Sequence, residues 1–199
     1  MQYSISLIRD FGSLGRSIAK SLSRKLGIEL YDRDIVEQVS RMLKLPVFTV
    51  SRKEESSKWR YKMFPLGNED IFMQDMIFDV QKEVILGLAK EKSCIIVGRC
   101  SDAILETMPN HLNIYIHASV PNRIENCVEK LGMEPAEARH MALSVDKARK
   151  AYHKKYAGFL PGDPDHHQLS IDSSLLGVEE TADLIAMWSV SALVHEWAC

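Results

Sequence analysis

The 199-residue sequence has little of what marks several classes of protein. Its four cysteines include no C-x-x-C pair, which argues against a disulfide framework and favours free thiols in a reducing compartment. No stretch approaches the ~20 apolar residues that a membrane span needs. The N-terminus lacks the basic segment, long apolar run and small-residue cleavage site of a secretory signal. These absences predict a cytoplasmic protein that does not associate with membranes.

An excess of charge of one sign is also missing. Lys and Arg number 25 against 27 Asp and Glu, a net charge of -2, so nucleic acid is not an expected partner and any anion site must be local. The hydrophobic fraction of 46% and the charged fraction of 26% are ordinary for a globular protein. The length favours one domain, or one domain with insertions.

Strand-like and helix-like segments alternate along the chain. Apolar runs bounded by turn residues predict strands, and apolar residues at helical spacing between them predict helices. The predicted strands cover 3–8, 28–31, 94–97, 112–117 and 169–172. This alternation is typical of an α/β protein with a mostly parallel sheet.

Two segments are harder to interpret. Residues 46–59 are polar and less periodic, so they predict no element. The helix expected from Val178 to the C-terminus carries an apolar stripe, for which we expect a core position, with a dimer contact as the alternative. The stripe consists of Val190, Leu193, Val194 and Trp197.

The turn between the first strand and the first helix has the composition of an anion site. It reads Arg9-Asp10-Phe11-Gly12-Ser13-Leu14-Gly15-Arg16-Ser17. A glycine-containing loop that opens a helix brings together backbone N–H groups and the positive end of the helix dipole. Against the pattern G-x-x-x-x-G-K-[ST], the second glycine and the serine match, whereas Asp10 and Arg16 replace the first glycine and the lysine. The alternative is a tight turn with a solvated arginine.

Two more segments could handle phosphate. Arg99 follows the buried run 95–97 and Gly98, at the carboxyl end of a strand, where open α/β sheets bind ligands. Asp146, Arg149 and neighbouring lysines form a charged run on a predicted helix over 134–156. Separately, a surface arginine and a solvated helix face explain these segments as well. Together with the glycine loop in one α/β chain, they predict a phosphate-handling site.

In these segments the sequence resembles the cytidylate kinase-like family, which are P-loop kinases related to nucleoside monophosphate kinases. The resemblance runs in order along roughly the whole chain. It rests on RDFGSLGRSIAKSLSRKL (9–26), GIELYD (27–32), IVGRC (96–100), Asp146-x-x-Arg149 with Tyr152, YAG (156–158) and GDP (162–164). It implies a three-layer P-loop fold with a five-stranded parallel sheet of order 2-3-1-4-5.

The resemblance also implies a division of the single domain. The core would comprise 1–32, 91–133 and 166–199, with an acceptor-binding insertion at about 33–90 and a mobile lid at about 134–165. Few apolar residues lie between Glu134 and Lys155, so we expect the lid to be held weakly against the core.

By the same resemblance, individual residues acquire roles. Gly12, Ser13, Leu14, Gly15, Arg16 and Ser17 would hold the phosphates of ATP, with the Ser17 hydroxyl on Mg²⁺. Arg99 would contact the acceptor phosphate, Arg149 the transferring phosphate, and Asp146 the acceptor sugar or base. Arg16 would share in stabilising the charge of the transferred group.

Two departures from the family pattern bear on the acceptor. Cys100 stands where true cytidylate kinases have an aspartate, and Met141 and Ala142 stand where the lid has a second arginine. Cytosine recognition therefore cannot be carried over. The prediction is ATP-dependent phosphoryl transfer to a nucleoside monophosphate or similar small phosphate-bearing acceptor, in a chain that could form a homodimer.

Alternatives from other classes stay open. One is a nucleotide-binding regulatory module that has lost turnover, motivated by the two departures. Another is a partner-binding scaffold using the basic and aromatic residues of 58–64, although an acceptor-contacting role is preferred for that segment. The acidic and histidine residues of 163–167 could bind a metal, but adjacent histidines in a Pro/Gly loop favour a polar loop.

Overall fold

The computed structural model describes residues 2–55 and 68–195. Five strands form the sheet, and the predicted positions agree with them to within one or two residues at each end. The strands are β1 Ser4–Arg9, β2 Glu29–Tyr31, β3 Cys94–Val97, β4 His111–His117 and β5 Leu169–Asp172.

Helices follow the strands and cover both faces of the sheet. They are α1 Gly15–Leu26, α2 Arg33–Leu43, α3 Val47–Glu55, α4 Asn68–Glu91, α5 Ser101–Ile104, α6 Val120–Leu131, α7 Pro135–Ala157 and α8 Gly177–His195. Local signals explain several boundaries. Gly27 and Gly132 end α1 and α6 with positive φ, and the Ser119 side chain accepts a hydrogen bond from the Asn122 N–H at the start of α6.

The sheet is parallel throughout, with the strand order β2-β3-β1-β4-β5. This confirms the predicted fold, a three-layer P-loop domain with the order 2-3-1-4-5. The central strand β1 lies between β3 and β4, so the loop after β1 opens at the middle of the carboxyl edge. Ligands bind in such sheets at this edge.

Two apolar clusters hold the layers together. On one face, α1 and α8 pack against β1, β3 and β4 around Ile5, Ile18 and Ile185. On the other face, α2, α3 and α4 pack against β3 around Ile35, Ile77 and Ile96. The predicted acceptor insertion therefore contributes the second cluster.

The structure corrects two expectations. Residues 47–55 form α3, a helix that the weak periodicity of 46–59 did not predict. Val190 and Val194 are exposed, whereas Leu193 is buried, so a core position for the whole stripe is wrong. Trp197 and the basic and aromatic residues of 58–64 lie outside the described residues. Within the described chain, no helix is both long and apolar enough to cross a membrane.

Substitution of two glycines by alanine should have opposite effects on stability. Gly12 has φ +80°, and a Cβ there would lie 2.6 Å from the Arg123 carbonyl oxygen, so Gly12→Ala should lower the unfolding free energy by about 1–3 kcal/mol. Gly87 lies on the exposed side of α4 with no atom within 4 Å of its added Cβ. Gly87→Ala should raise stability by about 0.5–1 kcal/mol.

Urea unfolding of both variants measures the two effects. Equal changes in unfolding free energy for the two variants would show that the loop accommodates a Cβ at Gly12 without strain.

Candidate active site

The loop between β1 and α1 turns its carbonyl groups toward the protein. Arg123 Nη1 donates to the Phe11 carbonyl at 3.1 Å, and Asn126 Nδ2 donates to the Gly12 carbonyl at 3.0 Å. The Ser173 hydroxyl donates to the Ser13 carbonyl at 2.7 Å. Side chains thus satisfy three successive carbonyls and fix the loop from outside.

Most N–H groups of the same loop, which lines the cleft, have no acceptor among the described residues. Among the described residues, five of these N–H groups donate to no protein acceptor: those of Gly12, Leu14, Gly15, Arg16 and Ser17. Several N–H groups at the start of a helix form an anion site.

Asp146 binds this loop from the side of α7. Its Oδ1 accepts the Phe11 N–H at 2.8 Å, and its Oδ2 pairs with Arg123, whose side chain is also buried. Burial raises the pKa of Asp146 above its ordinary value, while the Phe11 N–H and the Arg123 charge act in the opposite direction. Asp146 is not among the residues that line the cleft, and the contacts described above are with the loop and Arg123. A contact between Asp146 and the acceptor stays a prediction.

The loop serine residues differ in their surroundings. Ser13 is buried, and its hydroxyl donates to the Asp10 and Ile116 carbonyls at 2.9 and 3.3 Å. Ser17 is exposed and lines the cleft. The Asp10 carboxylate is held by the Tyr115 hydroxyl at 2.7 Å.

Five arginines line the cleft: Arg33, the first residue of α2, and four that come from other parts of the fold. Arg9 ends β1, Arg16 opens α1, Arg99 follows β3 and Arg149 lies on α7, with its guanidinium carbon 5.9 Å from the Phe11 ring centre. Gly98, Arg99 and Cys100 have successive positive φ values of 73°, 63° and 53°. This left-handed turn, unusual for residues with a Cβ, places Arg99 at the carboxyl edge.

Asp32, at the end of β2, is the counter-charge for two of these arginines. Arg16 Nε donates to its Oδ2 at 2.5 Å, and Arg99 Nη2 lies 4.0 Å from its Oδ1. The Asp32 side chain is 9% exposed, whereas that of Arg16 is 53% exposed. The pair therefore holds Arg16 across the cleft between the loop and β2.

Two spaces share three of the arginines as lining residues. The main cleft, of about 540 Å³, is lined by the loop, Asp32 and all five arginines. A smaller recess, of about 60 Å³, lies between Arg9, Arg99 and Arg149 and is closed by residues of β1, α7 and neighbouring turns. These closing residues are Ile8, Gly98, Cys100, Tyr152, His153 and Pro161.

A buried polar cluster lies below the recess. His153 Nε2 is 2.8 Å and His167 Nε2 is 3.3 Å from Asp102 Oδ2, and His153 Nδ1 is bound to the Phe159 carbonyl. His166 points away from this cluster, stacks on Phe159 and pairs with an exposed glutamate. Within the described residues no group of three or more His, Cys, Asp or Glu could hold a metal.

The region predicted as a lid forms α7 and the loop that follows it. The buried residues of α7 include small side chains as well as Tyr152 and His153, so it has more anchors than its apolar residues indicated. Phe78 of α4 stacks on Tyr156 at 4.1 Å between ring centres. The mobility of this region stays a prediction.

Sequence reasoning brought Arg16, Arg99 and Arg149 to one site but did not single out Arg9, Asp32, Arg123 or Asn126. Arg9 and Asp32 follow strands directly, and this position was the available signal. Arg123 and Asn126 lie in an ordinary amphipathic helix, where nothing local distinguishes them.

Comparisons with known proteins agree with this architecture. A model of the cytidylate kinase-like family matches residues 4–175. An uncharacterized protein from Eubacterium ventriosum is 25% identical, with a TM-score of 0.73 over 96% of this chain and 99% of that chain. No curated protein sequence matches.

Two more distant structures share the fold. Shikimate kinase from Acinetobacter baumannii, in complex with shikimate, is 13% identical, with a TM-score of 0.53 over 96% of this chain and 95% of that one. Deoxyadenosine kinase from M. mycoides is 14% identical, with a TM-score of 0.50 over 95% of this chain and 99% of that one. Both are kinases of small molecules.

Proposed function

Because the chain belongs to the cytidylate kinase-like family, we propose that it is an ATP-dependent kinase that transfers a phosphoryl group to a nucleoside monophosphate or similar small phosphate-bearing acceptor. The observation that carries this proposal is the loop, five of whose N–H groups have no acceptor among the described residues, in a cleft lined by five arginines. Such a site favours an anionic ligand over a neutral one, because arginine side chains and helix N-termini both bind phosphate oxygens.

The loop fits the phosphates of the donor. Gly15 is needed because a Cβ there would lie 2.7 Å from the Arg9 Cβ, and Gly12 is needed because of its positive φ. The exposed Ser17 hydroxyl is the residue that would hold Mg²⁺, which neutralises phosphate charge when bound. Arg16 would bind donor phosphate oxygens from the opposite wall.

Arginines also suit the transferred group. Phosphoryl transfer needs positioning and charge neutralisation more than covalent chemistry. Arg99 and Arg149 approach from separate elements, β3 and α7, so they can bind oxygens on different sides of one phosphate. The guanidinium fork binds two oxygens at once. Closure of α7 over the cleft would exclude water from the reaction.

The acceptor is not expected to be recognised through cytosine. Cys100 is buried and a thiol is a weak hydrogen-bond donor, so it cannot replace the carboxylate of true cytidylate kinases. The phosphate of the acceptor is therefore the part that the site is best equipped to bind.

A panel assay tests the proposal. The full chain is incubated with MgATP and a panel of nucleoside monophosphates, sugar phosphates and small alcohols, and ADP release is measured. We expect turnover with at least one phosphate-bearing acceptor and none with the alcohols. Tight ATP binding with no turnover would favour the regulatory module, and absence of ATP binding would contradict both.

The variant Arg99→Ala should impair the use of the acceptor while leaving the binding of the donor, ATP, nearly unchanged. Loss of a charge-assisted hydrogen bond costs about 1.5–3 kcal/mol, so kcat/KM for the acceptor should fall roughly 10- to 150-fold. The dissociation constant for ATP should change less than about threefold, because the loop is untouched. Arg41→Ala, on the exposed side of α2, is the control. An equal loss of ATP affinity would place Arg99 on the donor side.

A further inference from the structure

Arg9 is a charged side chain at the centre of the site that has no hydrogen-bond or ion-pair partner among the described residues. Among the residues that the structure describes, its guanidinium makes neither a hydrogen bond nor an ion pair. Loss of solvation, followed by the charges of Arg149 and Arg99, lowers the pKa of Arg9 well below its ordinary value, and Asp32 acts in the opposite direction. A cation in this position destabilises the empty protein unless an anion joins it.

Two glycines, which have no side chains, leave room for the Arg9 side chain. A Cβ at Gly15 would lie 2.7 Å from the Arg9 Cβ, and a Cβ at Gly98 would overlap the Arg9 Nη1 nitrogen. Gly15 accommodates the stem and Gly98 the guanidinium end. The side chain is therefore held in place by the backbone on both sides of the cleft, although it has no polar partner there.

The recess beside Arg9 is small. At roughly 10–15 Å³ for each water-sized group, its volume of about 60 Å³ holds about four to six such groups. A phosphate group, which has five heavy atoms, fits in a space of this size. Arg9, Arg99 and Arg149 provide its polar wall, while Ile8, Cys100 and Tyr152 are among the other residues that line it.

From this arrangement we propose that Arg9 is a further anion-binding residue, which with Arg99 and Arg149 binds the phosphate group of the acceptor in the recess. The proposal rests on the proposed function and narrows the substrate class to phosphate monoesters whose remaining part lies in the main cleft. Arg9, like Arg99 and Arg149, lines both spaces, so it can contact a phosphate in the recess as well as the donor phosphates in the main cleft. It would thereby offset the repulsion between the two.

The test uses inorganic phosphate as the probe on the full chain saturated with MgADP, so that the loop is already occupied. Calorimetry should detect phosphate binding to the wild type. Arg9→Met keeps most of the stem against Gly15 and should weaken phosphate binding at least about tenfold, since one charge-assisted contact is lost. Arg9→Lys should give an intermediate loss. The affinity for MgADP should change less than about threefold in both.

Thermal unfolding without phosphate separates binding from a structural role. Removal of an unpaired charge should raise the melting temperature of Arg9→Met, by about 2–4 °C for each 1 kcal/mol gained in a chain of this size. A structural arginine would instead lower it when removed. Arg41→Met, which removes an exposed arginine, should change neither measurement.

A second pair of variants leaves Arg9 itself in place. Gly98→Ala should displace the guanidinium and reproduce the loss of phosphate affinity. Gly27→Ala imposes a similar positive-φ strain, at +65° against +73°, but its Cβ meets no atom within 4 Å, so phosphate affinity should be retained. Unchanged phosphate binding in both Arg9→Met and Gly98→Ala, or no phosphate binding to the MgADP-loaded wild type, would overturn the proposal. Failure of MgADP to bind would contradict the proposed function, and the phosphate titration of the free chain would still test Arg9.

Discussion

Replacing Asp146 by alanine will lower the unfolding free energy by about 3–5 kcal/mol, because the buried Arg123 guanidinium loses its counter-charge. The same change removes the acceptor of the Phe11 N–H, which is part of the nucleotide loop. We therefore expect a loss of MgADP affinity in addition to the loss of stability. Urea unfolding and calorimetry measure the two effects separately.

A double variant distinguishes charge burial from positioning of the loop. Arg123→Met with Asp146→Leu replaces the pair by apolar side chains of similar size, and such replacement of a buried ion pair is often neutral or stabilising. Stability should recover, while MgADP affinity should stay low, because the Phe11 carbonyl and N–H have both lost their partners. A double variant that binds MgADP as well as the wild type would show that the loop keeps its shape without the pair. A loss below about 1 kcal/mol in Asp146→Ala would show that Arg123 is solvated when alone.

The role of Asp146 illustrates how far sequence takes the site. The motif Asp146-x-x-Arg149 was recognisable, and it brings Arg149 to the cleft as expected. The contact of Asp146 with the loop depends on Arg123 of α6, a helix in which the apolar residues Ile124, Val128 and Leu131 fall at helical spacing. In the structure the buried residues of α6 are Arg123 and Cys127, and Leu131 is exposed. The inward side of α6 carries a residue of the ion pair between α6 and α7. Hydrophobic periodicity cannot predict such a pair, because it considers only apolar residues.

The sheet was easier to predict because its signals are local and repeated. Strand β3, for example, is an apolar run of four residues that ends before Gly98. The strand order came from the family resemblance. The packing of α8 was not predictable in the same way, because apolar residues occur on its exposed as well as its buried side. Convergence of Arg9 with Arg99 follows from the adjacency of β1 and β3, which the predicted strand order already contained.

The histidine cluster around Asp102 should stabilise the chain in a defined range of pH. Burial acts to raise the pKa of Asp102, but the hydrogen bond from His153 and the nearby His167 ring, 3.3 Å away, lower it to about 2. Burial acts to lower the pKa of His153, and the Asp102 carboxylate outweighs this effect, so the pKa of His153 lies above its ordinary value. The cluster joins α5 to α7 and to the loop after α7, so its protonation affects the region that carries Arg149.

The sign follows from the direction of each shift. A carboxylate with a lowered pKa contributes stability above its ordinary value near 4, and that contribution, about 2 kcal/mol, is lost as the pH falls toward 2. A histidine with a raised pKa contributes fully below about 6.5, and its contribution is lost as the pH rises through the raised value. We therefore expect the contribution of the cluster to be largest between about pH 4 and pH 6.5.

Asp102→Ala should consequently cost about 3–5 kcal/mol at pH 5.5, where a charged His153 loses its partner, and about 1.5–3 kcal/mol at pH 9, where only a hydrogen bond between neutral His153 and the carboxylate is lost. Urea unfolding at both pH values measures this difference. Glu106→Ala is the matched control, because it removes a carboxylate from an exposed histidine pair with His166, and exposed pairs contribute about 0–1 kcal/mol. A cost for Asp102→Ala that does not change with pH would mean that His153 stays neutral in the folded protein. The cluster would then hold α7 by hydrogen bonds alone, and closure of the cleft by α7 would not respond to pH through it.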